Sequence, residues 1–139
     1  MMAGNVRQAI PFLWVTDMAR ALRFYVDGLG FTLAQSWMPE GTIEWCRLEL
    51  DVVALMLQVY RPDRRPDSAL GVGVVTCFQC DDALSLYRGF CAKGLAPQRP
   101  FVGNNMWVVA VLDPDGYRFE FASPTDVAEE TDYDPAVHN

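Results

Sequence analysis

An internal repeat constrains the fold of this 139-residue chain more than any other feature. Two offsets, of 65 and 62 residues, each align two pairs of positions: Asp17 with Asp82, Ile10 with Val75, Asp51 with Asp113, and Gln58 with Glu120. One repeat cannot bury its sheet alone, so the two are expected to pack about a pseudo-twofold axis. The sequence therefore predicts an α+β fold of two βαβββ modules forming a cupped mixed sheet with the helices outside. The alternative is an α+β sandwich whose halves match by chance, since helices commonly begin with Asp and end with Gly.

Alternating and helical apolar patterns place the elements of both modules. The first module, about residues 6–60, is expected to hold strands over Val6–Val15, Phe31–Trp37, Thr42–Leu50 and Val52–Val59, with a helix from Asp17 to Gly28. The second, about residues 71–122, is expected to hold strands over Val72–Cys80, Pro97–Val102, Met106–Leu112 and Tyr117–Phe121, with a helix from Asp81 or Asp82 to Gly94. A polar linker, Arg61–Asp67, joins the modules.

The segment Asp113–Phe121 (DPDGYRFEF) combines a turn with an alternating strand. Asp, Pro and Gly stand where a type I turn prefers them. The strand then places its aromatic residues on one face, expected in the core, and its charged residues on the other. Glu120 lies on that second face among apolar neighbours, where a carboxylate needs a cationic partner, a metal or a ligand.

Charge is unevenly distributed along the chain. The formal net charge is −7, and residues 123–139 contain five acids without Lys or Arg. Residues 1–122 are therefore expected to form a single domain, and residues 123–139 a loosely attached acidic tail. No basic stripe is available to neutralise phosphates, so nucleic acid is not an expected partner.

Hydropathy and cysteine spacing exclude further classes. No apolar run approaches the roughly 20 residues of a membrane span, and Met1–Asn5 lacks a signal-peptide pattern. We expect no membrane partner, a cytoplasmic location and reduced cysteines. Cys77 and Cys80 fall in a predicted strand at an odd spacing, which sends the two thiols to opposite faces and disfavours a zinc or redox pair.

Two segments resemble the vicinal oxygen chelate superfamily. Val15–Phe31 (VTDMARALRFYVDGLGF) resembles its first-helix signature, and Asp113–Glu120 resembles its closing motif. This superfamily includes glyoxalase I, extradiol dioxygenases, fosfomycin-resistance transferases and bleomycin-resistance proteins. The resemblance, over about residues 6–122, implies the paired βαβββ fold and a homodimer. It does not specify the activity, since this fold hosts many.

The resemblance also implies four strand positions that carry metal ligands in metal-using members. Here those positions hold Ile10, Gln58, Val75 and Glu120. Ile and Val donate nothing, and a divalent site generally requires three or four His or carboxylate ligands. The single histidine, His138, lies in the acidic tail and is expected to be solvated. We therefore expect no metal and no other cofactor, as in the metal-free bleomycin-resistance branch.

The residues that share a face with Glu120 define a candidate pocket. If the Asp113–Gly116 turn pairs Leu112 with Tyr117, Val109 lies opposite Glu120 and Trp107 shares its side. The same register places Arg47 opposite Gln58 in the first module. The predicted ligand-binding wall comprises Phe12, Trp14, Trp45, Arg47, Gln58, Trp107 and Glu120, with Met56 alongside. The alternative is that the tryptophans fill the interior and that Arg47 or Arg118 neutralises Glu120.

Two classes of function remain. The favoured hypothesis is a metal-free protein that sequesters a hydrophobic, aromatic or cationic small molecule, such as a bleomycin-type antibiotic, and thereby confers antibiotic resistance. No catalytic residue is assigned. The alternative is an enzyme, either a metal-dependent lyase or dioxygenase or a metal-free isomerase with Glu120 as general base. A regulatory module that senses a metabolite would differ from sequestration only in having a protein partner.

Overall fold

Two four-stranded mixed sheets follow one another along the chain in the computed structural model, which describes residues 4–138. The first sheet has the order β1-β4-β3-β2, with β1 Phe12–Val15, β2 Thr32–Trp37, β3 Trp45–Leu50 and β4 Val53–Val59. The second has the order β5-β8-β7-β6, with β5 Val75–Gln79, β6 Phe101–Gly103, β7 Met106–Leu112 and β8 Arg118–Pro124. The first strand of each module runs parallel to the last, and the other pairs are antiparallel. This arrangement confirms the predicted α+β fold of two βαβββ modules.

One helix belongs to each module. Helix α1, Met18–Leu22, continues as a π-helical segment, Arg23–Gly28, and α2 spans Ala83–Ala92. The Asp17 carboxylate accepts from the Arg20 amide, and the Asp82 carboxylate accepts from the Ser85 amide, both at 3.0 Å. Of the two predicted caps for α2, Asp82 is therefore the one used. A 3₁₀ turn, Pro62–Arg64, follows β4. Among the described residues, neither helix is long and apolar enough to cross a membrane.

Prolines shorten two of the predicted strands. β1 begins at Phe12 rather than Val6, because Pro11 has no amide hydrogen to donate, although its carbonyl still accepts from the Met56 amide. β6 begins at Phe101 rather than Pro97, after Pro97 and Pro100. Strand β7 has the predicted bounds, since nothing in Met106–Leu112 interrupts pairing.

The two modules meet where α1 of the first contacts the closing turn of the second. The Tyr25 hydroxyl donates to Asp113 Oδ2 at 2.6 Å, in a buried site. The Tyr25 ring packs edge-on against Phe119 at 5.6 Å, and the Phe31 ring lies 6.2 Å from that of Phe78. Each sheet therefore turns its helix-bearing face toward a shared core.

A second set of hydrogen bonds closes the same junction. The Thr16 amide donates to Asp115 Oδ2 at 3.0 Å, and the Thr16 hydroxyl donates to Asp115 Oδ1 at 2.5 Å. The Tyr117 hydroxyl donates to the Trp14 carbonyl at 2.8 Å. The turn that begins at Asp113 thus connects the last strand of one module to the first strand and helix of the other.

The register of the last hairpin differs from the predicted one. Leu112 pairs with Arg118, not with Tyr117, because the Asp113 carboxylate accepts from the amides of Asp115 and Tyr117 and widens the turn by one residue. A slip of one residue reverses the face of every side chain on one strand relative to its partner. Ala110, not Val109, therefore lies opposite Glu120.

Trp107 consequently occupies the helix-bearing face, and its assignment to the ligand-binding wall is wrong. Its side chain is 6% exposed, and its ring lies 6.2 Å from Tyr133 and 5.0 Å from His138. His138 is half-buried on this indole, contrary to the prediction of a solvated histidine.

The C-terminal segment after Pro124 is bound along β6, so the prediction of a loosely attached tail is also wrong. The Val102 amide donates to the Thr131 carbonyl at 2.9 Å, and the Tyr133 amide donates to the Pro100 carbonyl at 2.8 Å. β6 is an edge strand whose backbone groups need partners, and Tyr133 buries its ring beside it. One aromatic anchor and a free sheet edge outweigh the acidic composition.

Replacing Tyr25 with Phe is expected to lower the free energy of unfolding by about 1–3 kcal/mol, because the buried Asp113 carboxylate loses a donor. Urea denaturation measures the loss. Tyr133→Phe is the matched control: it also removes the hydroxyl of a buried tyrosine, but within residues 4–138 that hydroxyl makes no hydrogen bond. Equal losses in the two variants would contradict a stabilising role for the Tyr25–Asp113 bond.

Asp113 is expected to make stability pH-dependent. Burial raises the pKa of this carboxyl above its ordinary value of 3.8, although hydrogen bonds from Tyr25, Tyr117 and Asp115 oppose the shift. The folded state therefore holds the proton more tightly than the unfolded state. The contribution of protonated Asp113 to the free energy of unfolding is therefore full below pH 3.8. It is lost as the pH rises through the higher pKa that this carboxyl has in the folded state. The unfolding free energy of the wild type minus that of Asp113→Asn should fall from acid pH to neutrality; a rise would reverse the assigned shift.

Trp107→Ala is expected to destabilise the protein by roughly 3–5 kcal/mol, as for other buried aromatic side chains replaced by Ala. Trp14→Ala, at a 41% exposed position, should have a clearly smaller effect. Thermal unfolding of the two variants compares them directly. The reverse order would restore the predicted placement of Trp107 on the open face.

Candidate functional site

The open face of the first sheet carries a group of aromatic side chains. Cys46 contacts Met18 of α1, so its neighbours Trp45 and Arg47 project from the opposite face. The pairings place all six predicted first-sheet wall residues on this open face: Phe12 with Met56, Trp14 with Gln58, Trp45 with Gln58, and Arg47 with Met56. Arg47 thus lies opposite Met56 instead of Gln58. A shift of two residues leaves the faces unchanged.

Three large aromatic side chains on this face are strongly exposed to solvent. Phe12 is 43% exposed, Trp14 is 41% exposed and Trp37 is 53% exposed. The Trp14 ring contacts both neighbours, at 6.0 Å from Phe12 and 5.2 Å from Tyr60. Contiguous exposed apolar surface of this kind marks a binding site for a ligand or for another chain.

A cavity of about 540 Å³ lies at one end of this face. Strand residues and the start of the inter-module loop line it: Trp14, Trp37, Glu44, Gln58, Val59, Tyr60, Arg61 and Arg64. The volume is in the range of small-molecule sites, and aromatic walls with a few polar groups are typical of them.

Six lining residues were not identified from the sequence: Trp37, Glu44, Val59, Tyr60, Arg61 and Arg64. Trp37 pairs with Trp45 across β2 and β3, so an antiparallel register for that hairpin would have placed it on the same face. Arg61 and Arg64 belong to a segment interpreted only as a polar linker. Its path back over the sheet is a tertiary feature without a local sequence signal.

Glu120 lies on the open face of the second sheet. Its Oε2 accepts from Arg118 Nε at 3.0 Å, and its Oε1 lies 3.9 Å from Cys77 Sγ. Arg118, rather than Arg47, therefore neutralises Glu120, since Arg47 pairs with Glu49 at 2.9 Å. The pKa of the Cys77 thiol is raised by burial and then by the negative charge of Glu120, so this cysteine is not activated as a nucleophile.

Trp14 and Glu120, predicted to share one wall, lie on different sheets. The 540 Å³ cavity is bounded by residues of the first module and its following loop, and Glu120 is not among them. Within one chain, the structure brings together Trp14 and Gln58 in this cavity and keeps Phe12, Trp45 and Arg47 on the same face. Trp107 lies on the opposite face of the second sheet.

The residues at the four family-implied ligand positions do not fit a metal ion. Ile10 precedes β1 and Val75 begins β5, and neither side chain has a donor atom. Gln58 offers a neutral amide, and Glu120 is occupied by Arg118. Across residues 4–138, no group of three or more His, Cys, Asp or Glu side chains is placed to hold a metal.

Solved structures similar to this chain include proteins that bind antibiotics and an enzyme. TnmS3, an antibiotic binding protein from Streptomyces sp. CB03234, superposes with a TM-score of 0.66 at 20% identity, covering 88% of this chain and 100% of its own. A bleomycin-binding protein complexed with bleomycin superposes with a TM-score of 0.67 at 21% identity, covering 86% of this chain and 100% of its own. Lactoylglutathione lyase from Agrobacterium tumefaciens superposes with a TM-score of 0.65 at 19% identity, covering 86% and 96%. At these identities the likeness concerns the fold alone.

No curated protein matches the sequence. The family model described as the Glyoxalase/Bleomycin resistance protein/Dioxygenase superfamily matches residues 7–121, most of the chain. This span includes both segments on which the sequence resemblance depends and all four ligand-equivalent positions. The chain therefore belongs to the glyoxalase/bleomycin resistance protein/dioxygenase superfamily.

Proposed function

We propose that this protein binds a small aromatic molecule without a metal and acts by sequestering it. The observation that carries the proposal is the exposed aromatic face of the first sheet, with its adjoining cavity of about 540 Å³. Aromatic rings contribute large contact area and stack on planar ligands. Two of the structurally similar proteins bind antibiotics, which supports a ligand of comparable chemistry.

A homodimer is part of this proposal. Burying exposed rings such as Phe12 and Trp37 against an open face of a second copy would remove apolar surface from water. A paired arrangement of this kind would also cover a ligand held at the mouth of the cavity. Within one chain, the helix-bearing faces contribute to the shared core, whereas the open face of the first sheet leaves large apolar side chains exposed to a partner.

The enzyme alternatives have less support from the site. A general base must reach the proton it abstracts and be free to accept it, whereas Glu120 is held by Arg118 at 3.0 Å. A metal-dependent lyase or dioxygenase needs ligands that Ile10 and Val75 do not supply. Sequestration requires only the aromatic face and the cavity.

The proposal predicts metal-independent binding of aromatic compounds. We expect a simple naphthalene compound to quench tryptophan fluorescence and to stabilise the fold, by about 2.7 kcal/mol when it is present at a hundred times its dissociation constant. Trp14→Ala should weaken the binding, and EDTA should leave it unchanged. Stoichiometric metal in protein purified without chelator, or binding abolished by EDTA, would instead favour the metal-dependent enzyme.

A further inference from the structure

We propose that the cavity selects planar aromatic compounds that carry a carboxylate, and that Arg61 and Arg64 recognise this group. The inference rests on the proposed function and specifies the ligand class of the same cavity. Such a ligand differs from the cationic, bleomycin-type compound that was one expectation from the sequence.

Local charge at the cavity is opposite in sign to that of the whole protein. The chain has a formal net charge of −7, yet the charged side chains that line the cavity are two arginines, Arg61 and Arg64, and one acid, Glu44. Their formal sum is therefore +1. This balance attracts a monoanion and opposes a cation.

In the part of the chain that the structure describes, neither arginine is paired with an acidic side chain. Among residues 4–138, the arginines in salt bridges are Arg20, Arg47 and Arg118. Arg61 and Arg64 form none, although acidic residues outnumber basic ones in this chain. Two unpaired guanidinium groups at the rim of one cavity can bind a carboxylate through paired N–H donors, and such bidentate pairs are the stronger kind of charge-assisted hydrogen bond.

The backbone of the loop holds both arginines at the cavity. Arg61 follows directly on β4 and Tyr60, and the Arg64 amide donates to the Arg61 carbonyl at 2.8 Å to close the 3₁₀ turn. Pro62 restricts the first position of that turn. The next residue, Arg65, donates to the Thr16 carbonyl at 2.6 Å and ties the loop back to the end of β1.

Aromatic side chains in the cavity favour a planar ligand. Trp14 and Tyr60 lie 5.2 Å apart with an interplanar angle of 38°, and Trp37 lines the same cavity. A planar ring system can stack on these faces while its carboxylate reaches the guanidinium groups. The negative charge of Glu44 offsets part of the attraction that the two arginines exert on a carboxylate.

The test uses the whole 139-residue chain and three naphthalene probes of similar size, which carry a carboxylate, an alcohol or an ammonium group. Isothermal titration should show the carboxylate binding at least about tenfold more tightly than the ammonium probe, since each 1.4 kcal/mol of charge-pair energy is tenfold in affinity. The double variant Arg61→Gln, Arg64→Gln should lose about tenfold for the carboxylate probe and little for the alcohol. Glu44→Gln should strengthen carboxylate binding.

Arg88→Gln is the matched control, since Arg88 is an exposed arginine on α2 and does not line the cavity. It should leave all three affinities unchanged, and thermal unfolding should show that every variant folds. Equal affinities for the three probes would overturn the assignment of an anionic ligand, and so would the same loss of affinity in Arg88→Gln as in the double variant. Either result would still be consistent with binding of aromatic compounds. Failure of all three probes to bind would overturn the proposed function itself.

Discussion

The buried hydrogen bond between the Tyr25 hydroxyl and the Asp113 carboxylate is the constraint on which the rest of this structure depends. A carboxylate taken out of water must be satisfied by donors, and Asp113 accepts from the Tyr25 side chain and from the amides of Asp115 and Tyr117. The same carboxylate therefore shapes the closing turn and connects it to the helix of the other module. It also sets the register of β7 and β8, and with it the face on which each side chain lies.

The way the modules join decides where a ligand can bind. Their helix-bearing faces meet around a continuous aromatic core that includes Phe31, Phe78 and Phe119. The other face of each sheet is left open, with Trp14 on one and Glu120 on the other. The aromatic face has a cavity and unpaired arginines beside it, whereas the acidic face is self-neutralised by Arg118. Binding chemistry is thus concentrated in the first module and its following loop.

The predictions that succeeded depended on local patterns that tertiary contacts do not change. Asp17 and Asp82 cap their helices, the period-two alternation of β8 holds, and the first-sheet residues share a face as expected. The assignment of Trp107 failed because it depended on the number of residues in one turn. The hydrogen bonds that the Asp113 carboxylate accepts from the Asp115 and Tyr117 amides changed that number by one. The tail was misjudged because its average acidity concealed a single anchor, Tyr133.

The sequence by itself determined the module plan, the family and the absence of donor atoms at two of the four ligand-equivalent positions, since these follow from residue identity and short-range periodicity. Only the tertiary structure decided which partner neutralises Glu120, which tryptophans remain open and where the inter-module loop lies. Those outcomes depend on contacts between residues far apart in the chain, such as Arg65 with Thr16 and Tyr25 with Asp113. Such contacts are specified by packing and hydrogen bonding in three dimensions, and no local pattern around Arg61 or Arg64 encodes them.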